Sequence, residues 1–205
     1  MNGTSFREEK ALLRRSVRSR LNRMTAGETA EQSLAVSERI LRLTQWKRAR
    51  LVLAYLPFGG EFDPSLLLNQ AIVQGKELGL PRLKNRTTSP GLDRNMEFYR
   101  VSSLDGPWDN HPYGLREPFP DLPLILPENY TSGEILVLTP GLAFDGRCFR
   151  LGRGGGYYDT YINRFRGRLT LAAPAFSCQI VENVPAEPHD RPVDLVVFPE
   201  GVLSP

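Results

Sequence analysis

No run of apolar residues in this 205-residue sequence is long enough to cross a bilayer. Its N-terminus also lacks the apolar core of a signal peptide. Cysteine is scarce: Cys148 and Cys178 are too few for a disulfide framework, so a reducing, cytoplasmic setting is expected. Only two histidines occur, His111 and His189, and two so far apart in sequence do not make a metal site. There is no Gly-Lys-Ser/Thr phosphate loop and no Gly-x-Gly-x-x-Gly dinucleotide fingerprint. No obvious Ser/His/Asp or Cys/His set points to a protein nucleophile. Internal repeats and low-complexity tracts are absent as well.

What is present is an ordinary globular composition, 40% hydrophobic and 24% charged, in a chain long enough to bury a core. A single domain over 1–205 is expected. The net charge of +3 is too small to imply nucleic-acid binding. Its distribution is uneven. Residues 1–50 carry 12 Lys/Arg against 5 Asp/Glu, an excess of +7, which leaves about −4 for the remainder. Much of this charge lies on a helix expected over 7–24. Leu13, Val17, Leu21 and Met24 form its apolar stripe, and Lys10, Arg14 and Arg18 form a separate basic one. On charge alone, an anion-docking helix and a solvated face fit this pattern equally.

Downstream, Thr25 with Glu28 reads as a capping box for a helix to about Thr44. Leu51–Leu56 reads as a buried strand, and Asp63-Pro64 as the start of a helix that stops at Gly75. Further strands are expected at Leu78–Pro81, Met96–Val101, Ile135–Leu138, Leu169–Ala173 and Val193–Phe198. Residues 85–95 read as a loop, and 102–133 as a long irregular excursion. A helix is expected from within 154–158 to about Arg166. Strands alternating with helices predict an α/β fold with a mainly parallel sheet.

The chemistry concentrates in Arg150-Leu-Gly-Arg-Gly-Gly-Gly-Tyr-Tyr-Asp159. Glycines let backbone approach a ligand closely, and the free N–H groups of a helix N-terminus attract anions. Arg150 and Arg153 add positive charge, Asp159 offers a carboxylate to magnesium, and Tyr157 and Tyr158 can pack on a flat ring. A tight turn, a solvated aspartate and core tyrosines fit the same residues. Two rival functions also fit: an RNA-binding module that uses phosphates and stacking, and an α/β enzyme that binds a phosphorylated substrate without ATP.

Leu138-Thr-Pro-Gly-Leu-Ala-Phe-Asp145 followed by the 150–159 motif resembles the signature of the 5-formyltetrahydrofolate cyclo-ligase family. The resemblance extends over nearly the whole chain. Lys10–Met24 is similar to that family's N-terminal basic helix, and Tyr55-Leu56 with Gly60-Glu61 to its substrate turn. Tyr113–Pro118 is similar to a mid-chain motif of bacterial members, and His189-Asp190 with Val193-Asp194 to a C-terminal one. Some eukaryotic members carry lysine at the position of Gly155.

The resemblance implies a three-layer α/β/α fold. It implies ATP- and magnesium-dependent closure of 5-formyltetrahydrofolate to the 5,10-methenyl form, through phosphorylation of the formyl oxygen. It assigns Lys10, Arg14, Arg150, Gly152, Arg153, Gly154, Gly155, Gly156, Tyr157 and Tyr158 to ATP, and Asp159 and Asp190 to Mg2+. Tyr55, Leu56, Glu61, Arg153, Gly154, Gly155, Gly156 and Tyr157 are assigned to the folate, and Arg150, Arg153 and Tyr158 to catalysis. A monomer with a small-molecule substrate, and with neither nucleic-acid nor membrane partner, is expected.

Overall fold

A computed structural model describes residues 5–84, 95–110, 114–187 and 190–205. The chain opens with α1 (Phe6–Leu21), whose Ser5 and Glu8 form a reciprocal capping box. Next comes α2 (Ala26–Arg42): Thr25 Oγ1 accepts from the Glu28 amide at 3.2 Å, and Glu28 Oε2 accepts from the Thr25 amide at 2.8 Å. A short α3 (Thr44–Arg48) leads into β1 (Leu51–Leu53). α4 (Ser65–Val73) begins after Asp63, whose carboxylate accepts from the Ser65 amide at 2.9 Å. β2 (Glu77–Leu83) and β3 (Met96–Val101) follow, then the two-residue ribbon of β4 (Asp109–Asn110) and β5 (Arg116–Glu117). After β6 (Ile135–Leu138), a second ribbon pairs β7 (Ala143–Phe144) with β8 (Arg150–Leu151). The chain closes with α5 (Tyr157–Arg164), β9 (Leu169–Pro174), β10 (Leu195–Phe198) and β11 (Gly201–Leu203).

Seven strands form one sheet in the order β11-β10-β9-β6-β1-β2-β3. The five inner strands are parallel, and only the edge strands β3 and β11 run antiparallel. Strand alternation supplies both faces. Val52, Leu136, Leu138, Ala172 and Val197 meet α2, α3 and α4 through Val36, Ile40, Trp46 and Leu67. Leu51, Leu53, Ile135, Val137 and Ala173 meet Tyr161 of α5 and Phe165 on the other side. Burial on both faces is why these strands read as unbroken apolar runs. The sheet is flanked by helices on both sides, in the layered α/β arrangement that the alternation of elements predicts.

The chain leaves β1 toward β2 on one side and later adds β6 on the other. This reversal opens a crevice at the carboxyl ends of the strands, where ligands of α/β folds bind. α1 is brought to that crevice by Val17, which packs with Ala143, Leu151 and Val184.

Several boundaries differ from expectation. α1 ends at Leu21 rather than Met24, and β1 stops at Leu53, although the Ala54 amide still donates to the Gly79 carbonyl at 3.0 Å. β10 begins at Leu195, two residues late, and β11 has no alternating pattern in the sequence to announce it. Arg150 belongs to a strand rather than to the glycine loop. The excursion 102–133 contains the β4–β5 ribbon, which is fastened to β2. Arg82 donates to Asp109 and to the Pro118 carbonyl, both at 2.8 Å, and Glu117 Oε1 accepts from the Leu83 amide at 3.0 Å. Residues 85–94, His111, Tyr113 and His189 lie outside the described residues, so the expected 85–95 loop and those parts of the two motifs are not described.

Candidate functional site

Leu151 leaves the β7–β8 ribbon, and five residues, Gly152–Gly156, carry the chain to α5. Gly154 (φ 112°) and Gly156 (φ 71°) occupy the left-handed region that side chains disfavour. A Cβ on Gly155 would lie 2.9 Å from the Tyr157 ring. Gly156 is the N-cap of α5, and no side chain bonds the first amides of that helix. The loop therefore presents backbone donors at a positive helix end, which suits an anion.

Around it the charges come in pairs. The Arg150 side chain is only 7% exposed; it donates to the Pro140 carbonyl at 3.0 Å and pairs with Asp159, which is 61% exposed. Arg153 reaches across the crevice. Its Nε donates to Glu61 Oε1 at 2.6 Å, its Nη2 donates to the Phe58 carbonyl and, at 2.9 Å, to the Gly59 carbonyl, and its guanidinium lies 5.5 Å from the Phe58 ring centre. From α1, Arg14 Nε donates to the Gly152 carbonyl at 2.9 Å. Lys10 Nζ donates to Asp190 Oδ2 at 2.7 Å and Glu187 Oε2 at 2.8 Å.

Burial alone would lower the Lys10 ammonium, but its hydrogen bonds to Asp190 and Glu187 outweigh that and raise it. Burial, helped by Arg18, lowers Arg14, which still stays charged at neutral pH. Burial and the Glu61 charge push the Tyr158 hydroxyl well above the ordinary tyrosine range, and Tyr55 likewise. The Tyr158 oxygen is buried and makes no hydrogen bond. It remains protonated at neutral pH, a spare donor rather than a base.

These groups enclose a cleft of about 840 Å3, within the range of small-molecule sites. Its lining includes Lys10, Arg14, Tyr55, Leu56, Glu61, Arg150, Gly152 to Asp159 and Asp190. Every residue that the sequence nominates for the site thus faces one space, although their positions span 180 residues. Only part of the basic stripe is used. Lys10 and Arg14 line the cleft, whereas Arg18 is solvent-exposed. Glu61 is also a turn residue: its Oε2 accepts from the Phe58 amide at 3.1 Å.

Sequence reasoning overlooked Arg7, Phe58, Arg116 and Glu187, which line the same cleft. Arg7 stands three residues before Lys10 on one helix face, a spacing that could have revealed it. Phe58 sits inside the recognised turn. Arg116 lies within the Tyr113–Pro118 motif, but nothing in the sequence marks Glu187. Leu83, Met96 and Leu115 give the cleft an apolar flank beside the charged one.

A second hydrogen-bond network is centred on Asp145. Asp145 is wholly buried. It accepts from the amides of Arg147 (3.0 Å), Phe149 (3.0 Å) and Val184 (3.1 Å) and from the Arg147 guanidinium (2.7 and 3.2 Å). It joins the ribbon carrying Arg150 to the segment that leads to Glu187 and Asp190. Among the described residues, no group of three His, Cys, Asp or Glu side chains could hold a metal by itself. No helix of the described residues is long and apolar enough to cross a membrane.

Residues 6–199 match the model of the 5-formyltetrahydrofolate cyclo-ligase family. A curated 5-formyltetrahydrofolate cyclo-ligase of Haemophilus influenzae is 30% identical over 190 residues, covering 90% of this chain and 97% of the relative. The mouse protein of that name is 27% identical over 210 residues, covering 100% of both chains. The solved 5,10-methenyltetrahydrofolate synthetase of Aquifex aeolicus superposes with a TM-score of 0.77 at 29% identity, covering 95% of this chain and 92% of that one. The Mycoplasma pneumoniae synthetase shares the fold with a TM-score of 0.70 at 16% identity, covering 93% of this chain and 99% of that one. With the family match spanning nearly every described element, and with the glycine loop, the basic helix and the 55–61 turn assembled on one cleft, the chain belongs to the 5-formyltetrahydrofolate cyclo-ligase family.

Proposed function

We propose that this protein closes 5-formyltetrahydrofolate to 5,10-methenyltetrahydrofolate at the expense of ATP, in the cleft between α1, the glycine loop and the 55–61 turn. The formyl oxygen is an amide oxygen and a poor leaving group. Bonding it to the γ-phosphorus, as the bond to the β-phosphate oxygen breaks and ADP departs, makes it a good one. N10 of the folate then attacks the formyl carbon, phosphate leaves with the former formyl oxygen, and the N10 proton passes to solvent. Such a reaction needs alignment and charge neutralisation more than a protein nucleophile.

The observation that carries this reading is the alternation of cations and carboxylates around the uncapped start of α5. Lys10, Arg14 and Arg150 are the phosphate ligands, with the loop amides beside them. Asp159 and Asp190 are hard oxygen donors, and one or two carboxylates completed by phosphate oxygens suit Mg2+. When bound, magnesium supplies charge neutralisation at the phosphates. Tyr55, Leu56 and Glu61 form the folate side, where Glu61 accepts from ring N–H groups. Arg153 holds the turn that carries Glu61, and Gly154 to Tyr157 separate the two ligands. Tyr158 offers its unbonded hydroxyl as a donor to the reacting formyl group.

The test is the methenyl chromophore. Protein, magnesium, ATP and 5-formyltetrahydrofolate together should generate it, with ADP and phosphate in equal amounts, and omission of any one should abolish it. Saturating substrates that yield no chromophore refute the reading. Phosphate release from ATP without folate points to a different acceptor.

A further inference from the structure

Among the paired charges of the cleft, one corner is unbalanced. Arg150 meets Asp159 one to one, and Arg153 meets Glu61 one to one. Lys10 meets two carboxylates, Asp190 and Glu187, with nearly equal bonds of 2.7 and 2.8 Å. The two acids are also locked to each other through the backbone. The Glu187 amide donates to Asp190 Oδ2 at 2.9 Å, and the Asp190 amide donates to the Glu187 carbonyl at 2.9 Å. The Lys10 side chain is only 15% exposed, so it depends on these partners more than a surface lysine would.

We infer that Glu187 is a positioning residue for the nucleotide. It holds Lys10 in place when Asp190 turns to the metal, so that metal capture does not strip the ammonium of its counter-charge. The inference rests on the magnesium–ATP reading above and names a residue that reading does not use. The physical case is a competition. Asp190 Oδ2 receives both the Lys10 ammonium and the Glu187 amide, so any cation that takes this carboxylate weakens its bond to Lys10. With Glu187 present, the half-buried ammonium keeps a carboxylate 2.8 Å away and still projects toward the phosphates. Without it, Lys10 clings to Asp190 alone and opposes the metal.

Simple charge counting predicts the reverse for the nucleotide. Deleting a carboxylate beside a triphosphate reduces repulsion and should tighten ATP binding.

The experiment is calorimetric titration of ATP into wild-type and Glu187→Gln protein at a series of magnesium concentrations. The variant should need at least about fivefold more magnesium for half-maximal ATP binding, the size of a direct coupling between contacting charges. Its affinity for 5-formyltetrahydrofolate and its thermal midpoint should be unchanged. On a Lys10→Met background the same substitution should shift the magnesium requirement by less than about twofold, because the competitor for Asp190 is gone. Unchanged or tighter ATP binding by Glu187→Gln, or an undiminished shift on the Lys10→Met background, overturns the inference. If Glu187→Gln lowers the thermal midpoint, Glu187→Asp carries the same measurement. It should show a smaller shift of the same sign, and no shift overturns the inference. Wild-type protein that binds no magnesium–ATP overturns the functional reading and this inference together, whereas normal wild-type binding with an indifferent variant overturns the inference alone.

Discussion

Replacing Arg153 by lysine keeps a positive charge and removes a fork. In the folded protein the guanidinium makes three hydrogen bonds to the 58–61 turn, one to a carboxylate and two to carbonyls. A lysine ammonium on a shorter, non-planar head retains one of them. The Glu61 bond is charge-assisted and worth about 1.5–3 kcal/mol, and a carbonyl bond about 0.5–1.5 kcal/mol. The Arg153 side chain is 32% exposed, so water replaces part of the loss and about 2 kcal/mol remains. At 1.4 kcal/mol per decade this weakens folate affinity about 30-fold. The assay is a pair of titrations, 5-formyltetrahydrofolate and ATP, with KM values for both. The folate constant should rise and the ATP constant should hold within about threefold, since the three hydrogen bonds of Arg153 all go to the 58–61 turn. A variant whose ATP KM rises while its folate KM stays at the wild-type value refutes the argument and makes Arg153 a phosphate ligand.

Three further outcomes follow from the same contacts. Asp159→Asn should cost less than about 1 kcal/mol of stability by denaturant titration, because its pair with Arg150 is exposed on the aspartate side, yet lower kcat/KM for ATP at least about tenfold. Asp145→Ala should cost about 3–5 kcal/mol by chemical denaturation, because it strands the amides of Phe149 and Val184 away from water. Stability should also fall at high pH. Tyr55, Tyr158 and Tyr161 are raised by burial, so the folded protein keeps protons that the unfolded chain releases near pH 10. Their contribution is complete below that pH and is lost above it. Tyr158→Phe should remove part of the alkaline slope and leave the neutral-pH midpoint unchanged or higher, since the hydroxyl has no partner to lose.

Much of the fold was legible because its causes are local. The four apolar residues Ile135–Leu138 have no solvent-facing position, and Thr25 with Glu28 satisfies helix amides within one turn. β11 and the β7–β8 ribbon were not legible. They are two or three residues long and exist because a neighbouring strand offers its edge. The residues of the cleft could be nominated by motif, but their pairing could not. Lys10 meets Asp190 at a separation of 180 residues, and nothing local tells a lysine which of 23 acids it will face. The same blindness hid Glu187, an acid of no distinctive context until the fold sets it beside Lys10.

The pairing of cations with carboxylates across the cleft also bears on what the protein ignores. A cleft lined by free lysine and arginine would fill with chloride, inorganic phosphate or any passing nucleotide. Here, Lys10, Arg150 and Arg153 already have carboxylate partners, so an anion that arrives alone must compete with a carboxylate for each of them. A visitor that brings its own cation compensates the carboxylate of a broken pair as well as the cation. On the proposed reading, the resting charge pattern favours a metal-bearing polyphosphate over the commoner simple anions before any contact with a base or sugar is made.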